Sequence, residues 1–225
     1  MKTYITSDLH IGHKNIQKFC PKTRRHLVDA DRLDKALAVD SLTVEEIHAA
    51  YSEYQNLDEK QLKKANQGEW EFLTNQMNEN MVKAWNATVN PEDLVYILGD
   101  IAFMPGDKAA KFLHRMNGRK ILVEGNHDVK QLKDKNFREC FEEVHKYLEI
   151  QWDKRKLVMF HYPIHFEWNQ AHRGSIHFHG HLHGNPSGLE EFRARDVGYD
   201  STGQIAILME DAIASVANNK LPEHH

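Results

Sequence analysis

The chain has 225 residues and a formal net charge of −4, a length that favours one domain with a core large enough to be stable unaided. The small negative net charge argues against sequence-independent binding of duplex nucleic acid through its phosphates. Two distant cysteines outside any zinc-binding spacing, together with the lack of a long apolar stretch, favour a cytoplasmic protein that has no membrane partner.

The elements predicted along the chain alternate between strands and helices. Strands are predicted at 2–7, 94–98, 120–123, 144–152, 156–160 and 191–197. Helices are predicted at 14–19, 70–88, 108–116 and 207–216, and one more begins near Ser41 and carries Val44, Ile47, Tyr51 and Tyr54 at helical spacing. This order is typical of a layered α/β protein. We expect a two-sheet β-sandwich flanked by helices, forming a single domain over 1–225 with a helical insertion at about 29–66.

Five predicted strand ends are followed by oxygen or imidazole donors; the fifth lies before His181 in the stretch 175–203, where alternating strands and a second sheet are expected. The donors in chain order are Asp8 and His10, Asp100, Asn126 to Asp128, His161, and His181 with His183. Each motif alone has an ordinary explanation, because Asp commonly caps loops and a single His is more often packed than bound to a metal. Since α/β proteins place their sites at the carboxyl edge of the sheet, the five ends together indicate one dinuclear metal centre.

The five motifs also resemble, in this order, the pattern of the calcineurin-like metallophosphoesterase superfamily: Asp-X-His, Gly-Asp, Gly-Asn-His-Asp, a later His, and Gly-His-X-His. The chain is most similar to the small phage and bacterial members, with which it shares an Asp-Leu-His-X-Gly-His opening, Trp85-Asn86 and the run from His177 to His183. Two features differ from that branch, namely the length of the 29–66 stretch and Asp196, where Asn is expected. Both bear on substrate selection.

The resemblance implies a set of metal ligands. One ion would be held by Asp8, His10 and His183, the other by Asn126, His161 and His181, with Asp100 bridging the two. Imidazole, carboxylate and amide ligands without thiolate favour Mn, Fe, Zn, Co or Ni. We expect two divalent metal ions, with Mn²⁺ as the resident metal.

The resemblance also implies the reaction, in which a hydroxide bridging two ions attacks a phosphoester in line. His127 is not required as a ligand and is placed to donate a proton to the leaving oxygen, and Asp128 beside it is expected to keep that imidazole protonated. We therefore predict a metal-dependent phosphoesterase, more specifically a phosphodiesterase acting on a nucleotide or another small phosphodiester. The alternatives on the same centre are a phosphomonoesterase, a nucleotide pyrophosphatase and a nuclease.

Four further residues are candidates for contacts with a phosphate or nucleotide: His13, Asn15, Arg24 and Arg173. An arginine side chain can hold a phosphate with two parallel hydrogen bonds. The expected partner is thus a small phosphoester or nucleotide. Nucleic acid is not favoured, because the basic residues at 22–25 lack the interleaved aromatic residues of a single-strand groove. The oligomeric state is left open.

Two alternative hypotheses do not involve a catalytic centre of two metal ions. A non-catalytic interaction module that kept this fold would be expected to have lost ligands, whereas every position of the motifs is filled here. A structural zinc site among the histidines of 161–183 would need four protein ligands and would usually include thiolate, and neither cysteine is nearby.

Overall fold

The computed structural model describes residues 1–165 and 173–222. Its residues form two compact units, one built from 1–11 together with the chain from 82 onward, and the other from 12–81. The strands are Thr3–Thr6 (β1), Leu94–Ile97 (β2), Arg119–Val123 (β3), Glu143–His145 (β4), Leu148–Trp152 (β5), Arg155–Met159 (β6), Ile176–His179 (β7), Ala194–Asp196 (β8) and Ile207–Leu208 (β9). All nine belong to the first unit.

The first unit contains two sheets. The five-stranded sheet has the order β4-β3-β2-β1-β9, in which β9 alone runs antiparallel to its neighbour. The four-stranded sheet has the order β5-β6-β7-β8, with β6, β7 and β8 parallel. Because β1, β2 and β3 run parallel in one sheet, the polar loops after them lie at the same edge of that sheet. The loops after β6 and β7 likewise lie at one edge of the other sheet.

The two sheets share one hydrophobic core. Side chains of the five-stranded sheet, among them Ile5 and Leu98, pack with Met159 and Phe178 of the four-stranded sheet. These side chains are fully buried, as expected for strands of β-branched, aliphatic and aromatic residues with both faces covered. This is the predicted fold, two sheets face to face with helices outside, and most of the strand pairs are parallel.

Helices occupy much of the rest of the described chain. They are Ile16–Phe19 (α1), Pro21–Arg24 (α2), Ala30–Ser41 (α3), Val44–Ala50 (α4), Glu59–Thr88 (α5), Gly106–Leu113 (α6), Asp128–Gln131 (α7), Lys135–Arg138 (α8), Tyr199–Thr202 (α9) and Met209–Val216 (α10), with single 3-10 turns at Arg25–Leu27 and Ser52–Tyr54. None of the described helices has both the length and the apolar character needed to cross a membrane. The reading of the whole chain as one domain with an insertion at about 29–66 stays a prediction.

The unit of residues 12–81 is helical throughout its regular structure. Leu33 and Ala36 of α3 pack on Trp70 and Leu73 of α5. A second cluster joins Val39, Ile47 and Leu62. The helix predicted over 70–88 therefore contributes buried side chains to this unit, and it begins eleven residues before Trp70.

Three local predictions are wrong. The helix expected to begin near Ser41 begins after Thr43, whose hydroxyl accepts from the amide of Glu46 while the Glu46 carboxylate accepts from the amide of Thr43. The strand expected over 144–152 is two strands in different sheets, β4 and β5. The helix expected over 207–216 begins at Met209, because Ile207 and Leu208 pair with β1 instead.

Candidate metal centre

The loops after β1 and β2 are held together by their backbones. The amide of Asp8 donates to the carbonyl of Gly99 at 3.0 Å, and the amide of His10 donates to the carbonyl of Asp100, also at 3.0 Å. The hydroxyl of Ser7 adds a bond of 2.7 Å to the carbonyl of Leu98. Asp8, His10 and Asp100 are thereby fixed on neighbouring segments, and their side chains are buried.

Two groups of three donor side chains lie in the first unit. The first group is Asp8, His10 and His183, and the second is Asp100, His161 and His181; within each group one donor atom of every residue lies within 4.8 Å of the other two. In the first group Oδ1 of Asp8 is 3.7 Å from Nε2 of His10 and 3.8 Å from Nε2 of His183. Donors that bind one cation at about 2.0–2.2 Å lie roughly 3–4 Å from one another, so this spacing fits a shared ion.

The Asp100 carboxylate connects the two groups. Its Oδ2 atom lies 3.7 Å from Nε2 of His10 and 3.5 Å from Nε2 of His161. On the far side, Nε2 of His161 is 3.1 Å from Oδ1 of Asn126. The structure therefore brings all seven residues predicted as ligands into one cluster, with Asp100 between its two halves.

The candidate ligands have an unusual backbone conformation. Among the described residues, six that are not glycine have a positive φ, and five of them are candidate ligands: Asp8, His10, Asp100, His181 and His183, with φ between 50° and 75°. Side chains with a Cβ rarely adopt this region, and such strain persists where the surrounding structure imposes it. The loops are thus bent to turn donor side chains toward one point.

Two glycines make the approach of these loops sterically feasible. Gly99 has φ +89°, and a Cβ on it would lie 2.8 Å from Nδ1 of His161. A Cβ on Gly180 would collide with the Ser7 hydroxyl and with the Asp8 carboxylate. The Gly-Asp and Gly-His motifs therefore use glycine because no other residue fits between the loops.

The tautomers of two candidate ligands are fixed by acceptors behind them. Nδ1 of His161 lies 2.6 Å from the carbonyl oxygen of Leu98, and Nδ1 of His183 lies 2.9 Å from Oδ2 of Asp200. Since both partners accept hydrogen bonds, Nδ1 carries the proton and Nε2 is left to bind a cation. Asp200 was not identified from the sequence, although it stands in the same short motif as Asp196.

The centre concentrates negative charge in a buried place. Burial by itself raises the pKa of the Asp100 carboxyl, but the hydrogen bond and charge of His161 outweigh it and bring the pKa to about 2. The pKa of Asp8 is also lowered, because His10 and the neighbouring imidazoles overcome the effect of burial. Both carboxyls are therefore ionised at neutral pH, as a cation site requires.

His127 lies beside the cluster and is accessible to a substrate. Its Nε2 atom is 3.9 Å from Oδ2 of Asp100, and its side chain is 39% exposed. The amide of His127 donates to Oδ1 of Asp100 at 2.9 Å. The imidazole is thus positioned next to the candidate ligands and faces outward.

The expected pairing of Asp128 with His127 is wrong. Oδ2 of Asp128 accepts from the amides of Asp100 and Gly125, and Oδ1 accepts from the amide of Ile101. Burial raises the pKa of this carboxyl to about 6. Asp128 therefore holds the loops after β2 and β3 together, because its two oxygens are occupied by backbone amides.

The four residues predicted to contact the substrate differ in their exposure. Arg24 is fully buried in the unit of residues 12–81, with Nη1 3.8 Å from Sδ of Met81, so a substrate phosphate cannot reach it and this prediction is wrong. His13 is half-buried, with its ring edge against Phe19, and Asn15 is exposed. Arg173 is exposed directly after residues 166–172, which lie outside the described chain. For His13, Asn15 and Arg173 the role stays a prediction.

Tyr162 is a further residue of the site that the sequence did not single out. Its hydroxyl lies 3.4 Å from Oδ1 of Asn126, and its ring meets the ring of His181 edge-on, with centroids 4.7 Å apart. The only sequence signal for it is its position after His161. Tyr162 covers the side of the cluster formed by Asn126 and His181.

Comparison with known proteins adds an independent observation. The model of the calcineurin-like phosphoesterase superfamily domain matches residues 77–198. This segment includes the candidate ligands from Asp100 to His183. Asp8 and His10 precede the matched segment, and β1 brings them to the same cluster.

Two curated relatives and one solved structure are also similar to this chain. Uncharacterized protein MJ1445 of Methanocaldococcus jannaschii is 25% identical over 82% of this chain and 70% of its own length. The gene 66 protein of Mycobacterium phage L5 is 25% identical over 96% of this chain and 94% of its own. The crystal structure of a protein of unknown function from Aquifex aeolicus, AQ665, covers 96% of this chain and 99% of its own, with a TM-score of 0.57 and 19% identity. This last likeness concerns the fold.

Proposed function

The chain belongs to the calcineurin-like phosphoesterase superfamily, a family of metal-dependent phosphoester hydrolases, and from that premise we propose that it hydrolyses small phosphodiesters or nucleotides at a centre of two divalent ions. Asp8, His10 and His183 hold one ion, Asn126, His161 and His181 hold the other, and Asp100 lies between them. The observation that carries this proposal is the position of Oδ2 of Asp100, 3.7 Å from His10 and 3.5 Å from His161.

The donor set suits the proposed metals. Imidazole, carboxylate and amide donors match Mn²⁺ and its neighbours in the first transition series, and Mn²⁺ is the metal we propose. When bound, such ions lower the pKa of water and polarise the phosphoryl oxygens. The protein contributes the placement of seven donors, the tautomers of His161 and His183 and the negative charge of two buried carboxylates.

His127 supplies the proton that the leaving oxygen needs. Its exposed imidazole, 3.9 Å from Asp100, faces the space a substrate would occupy. A proton donor at this place stabilises the charge that builds on the leaving oxygen as its bond to phosphorus breaks. The role suits His127 because its backbone amide ties it to Asp100 while its side chain stays 39% exposed.

One structural feature bears on the organic groups of the substrate. A cavity of about 730 Å³ begins at Asn126 and His127. A diester carries one more organic group than a monoester, and this cavity offers space for such a group beside the candidate proton donor. The cavity therefore has room for an organic group of the ester, and the assay below decides between diester and monoester.

The test is an assay of the metal-free protein after restoring one metal at a time. We expect Mn²⁺ to restore hydrolysis of an aryl phosphodiester at least tenfold better than of the matching aryl phosphomonoester. The Asp100→Asn variant should stay folded by circular dichroism and lose this activity. Preference for the monoester would contradict the diester proposal, and lack of hydrolysis with Mn, Fe, Zn, Co and Ni would contradict the enzymatic function.

A further inference from the structure

We propose that the cavity beside His127 receives the leaving alcohol of the substrate and selects an alcohol that carries a flat aromatic ring, such as a nucleoside or an aryl group. The inference rests on the proposed function and adds the chemical class of the substrate. It assigns Phe103 as a residue that determines specificity.

The cavity is continuous with the metal centre. Its walls come from two short segments, 103–106 and 126–131, and Asn126 and His127 belong to both the cavity and the candidate centre. A residue that protonates the leaving oxygen must touch that oxygen, so the rest of the leaving alcohol extends to the same side. On this side of His127 the described chain offers the 730 Å³ cavity.

The walls have the chemistry of an aromatic site. The side chain of Phe103 is 47% exposed, although phenylalanine side chains are usually buried. Its ring meets the ring of His127 at an angle of 64°, with centroids 5.0 Å apart. Met104, Pro105 and Val129 complete an apolar surface around it, and thioethers and aromatic rings pack well on other aromatic rings. A flat ring can therefore lie on Phe103 with its oxygen next to His127.

Hydrogen bonds fix the backbone of the loop that carries Phe103. The side-chain amide of Gln131 donates to the carbonyls of Ala102 and Met104, at 3.0 and 3.2 Å. The amide of Phe103 donates to the carbonyl of Ile11 at 2.8 Å. Because these bonds fix the backbone on both sides of Phe103, little order has to be gained when a ring binds there.

The charge at the cavity favours an anionic or neutral ligand. Among the described residues that line it, Lys130 is charged and exposed, and none is a carboxylate. A cationic alcohol would gain nothing here, whereas an aromatic alcohol with a further phosphate could pair with Lys130. The combination of ring-binding walls and one lysine suits a nucleotide-like group.

Binding of two phosphonates to the manganese-loaded protein tests the inference without turnover. Titration calorimetry should show that phenylphosphonate binds about tenfold more tightly than methylphosphonate, which is the size of an aromatic stacking contact. The Phe103→Ala variant should lose this preference and keep its affinity for methylphosphonate. Phe72→Ala removes a phenylalanine of similar exposure, 43%, in the unit of residues 12–81, and should keep the preference.

Kinetics on an aryl phosphodiester separate this inference from the proposed function. Phe103→Ala should raise KM several-fold with little change in kcat, because Phe103 holds the ring and moves no proton. Equal affinities of the wild-type protein for the two phosphonates, or an unchanged preference in Phe103→Ala, would overturn the inference while hydrolysis of the diester persists. Lack of hydrolysis with any metal would instead overturn the proposed function, and the inference with it.

Discussion

Several candidate ligands have an energetically unfavourable backbone conformation. Asp8, His10 and Asp100 have φ values of 58°, 52° and 55°, in a region that costs on the order of 1–3 kcal/mol for a residue with a Cβ. The hydrogen bonds between the loops after β1 and β2 offset this cost. These bonds fix the backbone at the candidate ligands, and each residue around them has a separate, testable task.

His127 is expected to donate a proton to the leaving oxygen and not to bind the metal ions. The His127→Ala variant should retain its metal content, since the seven candidate ligands are untouched, and lose about 10²–10⁴-fold in kcat on a diester with a poor leaving group. The loss should be smaller on an aryl diester whose leaving group is acidic, because that group needs less help from a proton donor. Normal turnover of the poor substrate in a metal-replete variant would remove His127 from the mechanism.

Gly180 is expected to be required for the close approach of two loops. In Gly180→Ala the new methyl group would collide with Ser7 and Asp8, so the Asp8 carboxylate must shift and metal affinity should fall at least tenfold in a competition assay with a chelator. Gly68→Ala is the control, because nothing lies within 4 Å of the new methyl group. In the interior of α5 it should raise the free energy of unfolding by about 1 kcal/mol. Equal metal affinities of the two variants would refute the steric argument.

At the scale of one element, β7 carries a buried histidine at the sheet interior. His177 accepts from the amide of Ile164 through Nε2 at 3.0 Å, and its Nδ1 donates to the carbonyl of Val158 at 3.1 Å. The ring is therefore neutral with the proton on Nδ1. Burial, and then the nearby His179 ring, lower the pKa of His177 to about 3. Protonation of this imidazole is therefore expected to destabilise the folded protein.

This pKa predicts a loss of stability in acid. In the unfolded chain His177 takes up a proton near pH 6.5, whereas in the folded chain it resists until about pH 3, so the unfolded state binds more protons between these values and stability falls as the pH falls. The contribution is on the order of 3 kcal/mol between about pH 6.5 and about pH 4. The urea unfolding free energy of His177→Asn should have a shallower pH slope than that of the wild type. Parallel slopes would show that His177 does not carry the effect.

Elements were predicted best where local patterning determines them. Four of the strands that deliver the site, β1, β2, β3 and β6, were placed within one residue, because a run of β-formers ending in polar donors is a local signal. The fifth, β7, was expected only within the alternating stretch 175–203. The single strand expected over 144–152 is divided at Lys146 and Tyr147, since its first part pairs with β3 in the five-stranded sheet and its second part forms a hairpin with β6 in the four-stranded sheet. Ile207 and Leu208 likewise pair with β1. Such pairings depend on long-range contacts that a single sequence does not display.

At the same scale, the motifs in the sequence predicted the candidate ligands but not the residues that hold those ligands and their loops in place. The seven candidate ligands follow strand ends in recognisable motifs, so they could be proposed without coordinates. Asp128 and Asp200 could not be placed correctly, because their roles depend on where the side chains point: one accepts from backbone amides and the other from His183. Arg24 is buried against the usual preference of a charged residue for the surface.

At the scale of the whole molecule, the candidate centre ties together distant parts of the chain. Asp8 and His183 face each other at 3.8 Å although 175 positions separate them. An ion that binds both in the folded protein and neither in the unfolded chain stabilises the fold, by about 2.7 kcal/mol at a hundredfold excess of metal over Kd. Removing metal with a chelator should therefore lower Tm. The Asp100→Ala variant should show a much smaller chelator-dependent shift, and an equal shift would place the stabilising ion elsewhere.

The number of ions that the cluster holds tests the account most directly. Metal-free protein should be titrated with Mn²⁺ and freed of excess metal, after which the metal per chain is counted by mass spectrometry and electron paramagnetic resonance reports whether the ions are coupled. The account predicts two Mn²⁺ ions per chain with the spectrum of an exchange-coupled pair, and a loss of that coupled spectrum in Asp100→Ala. One ion per chain, or two ions with the spectrum of isolated Mn²⁺, would contradict it.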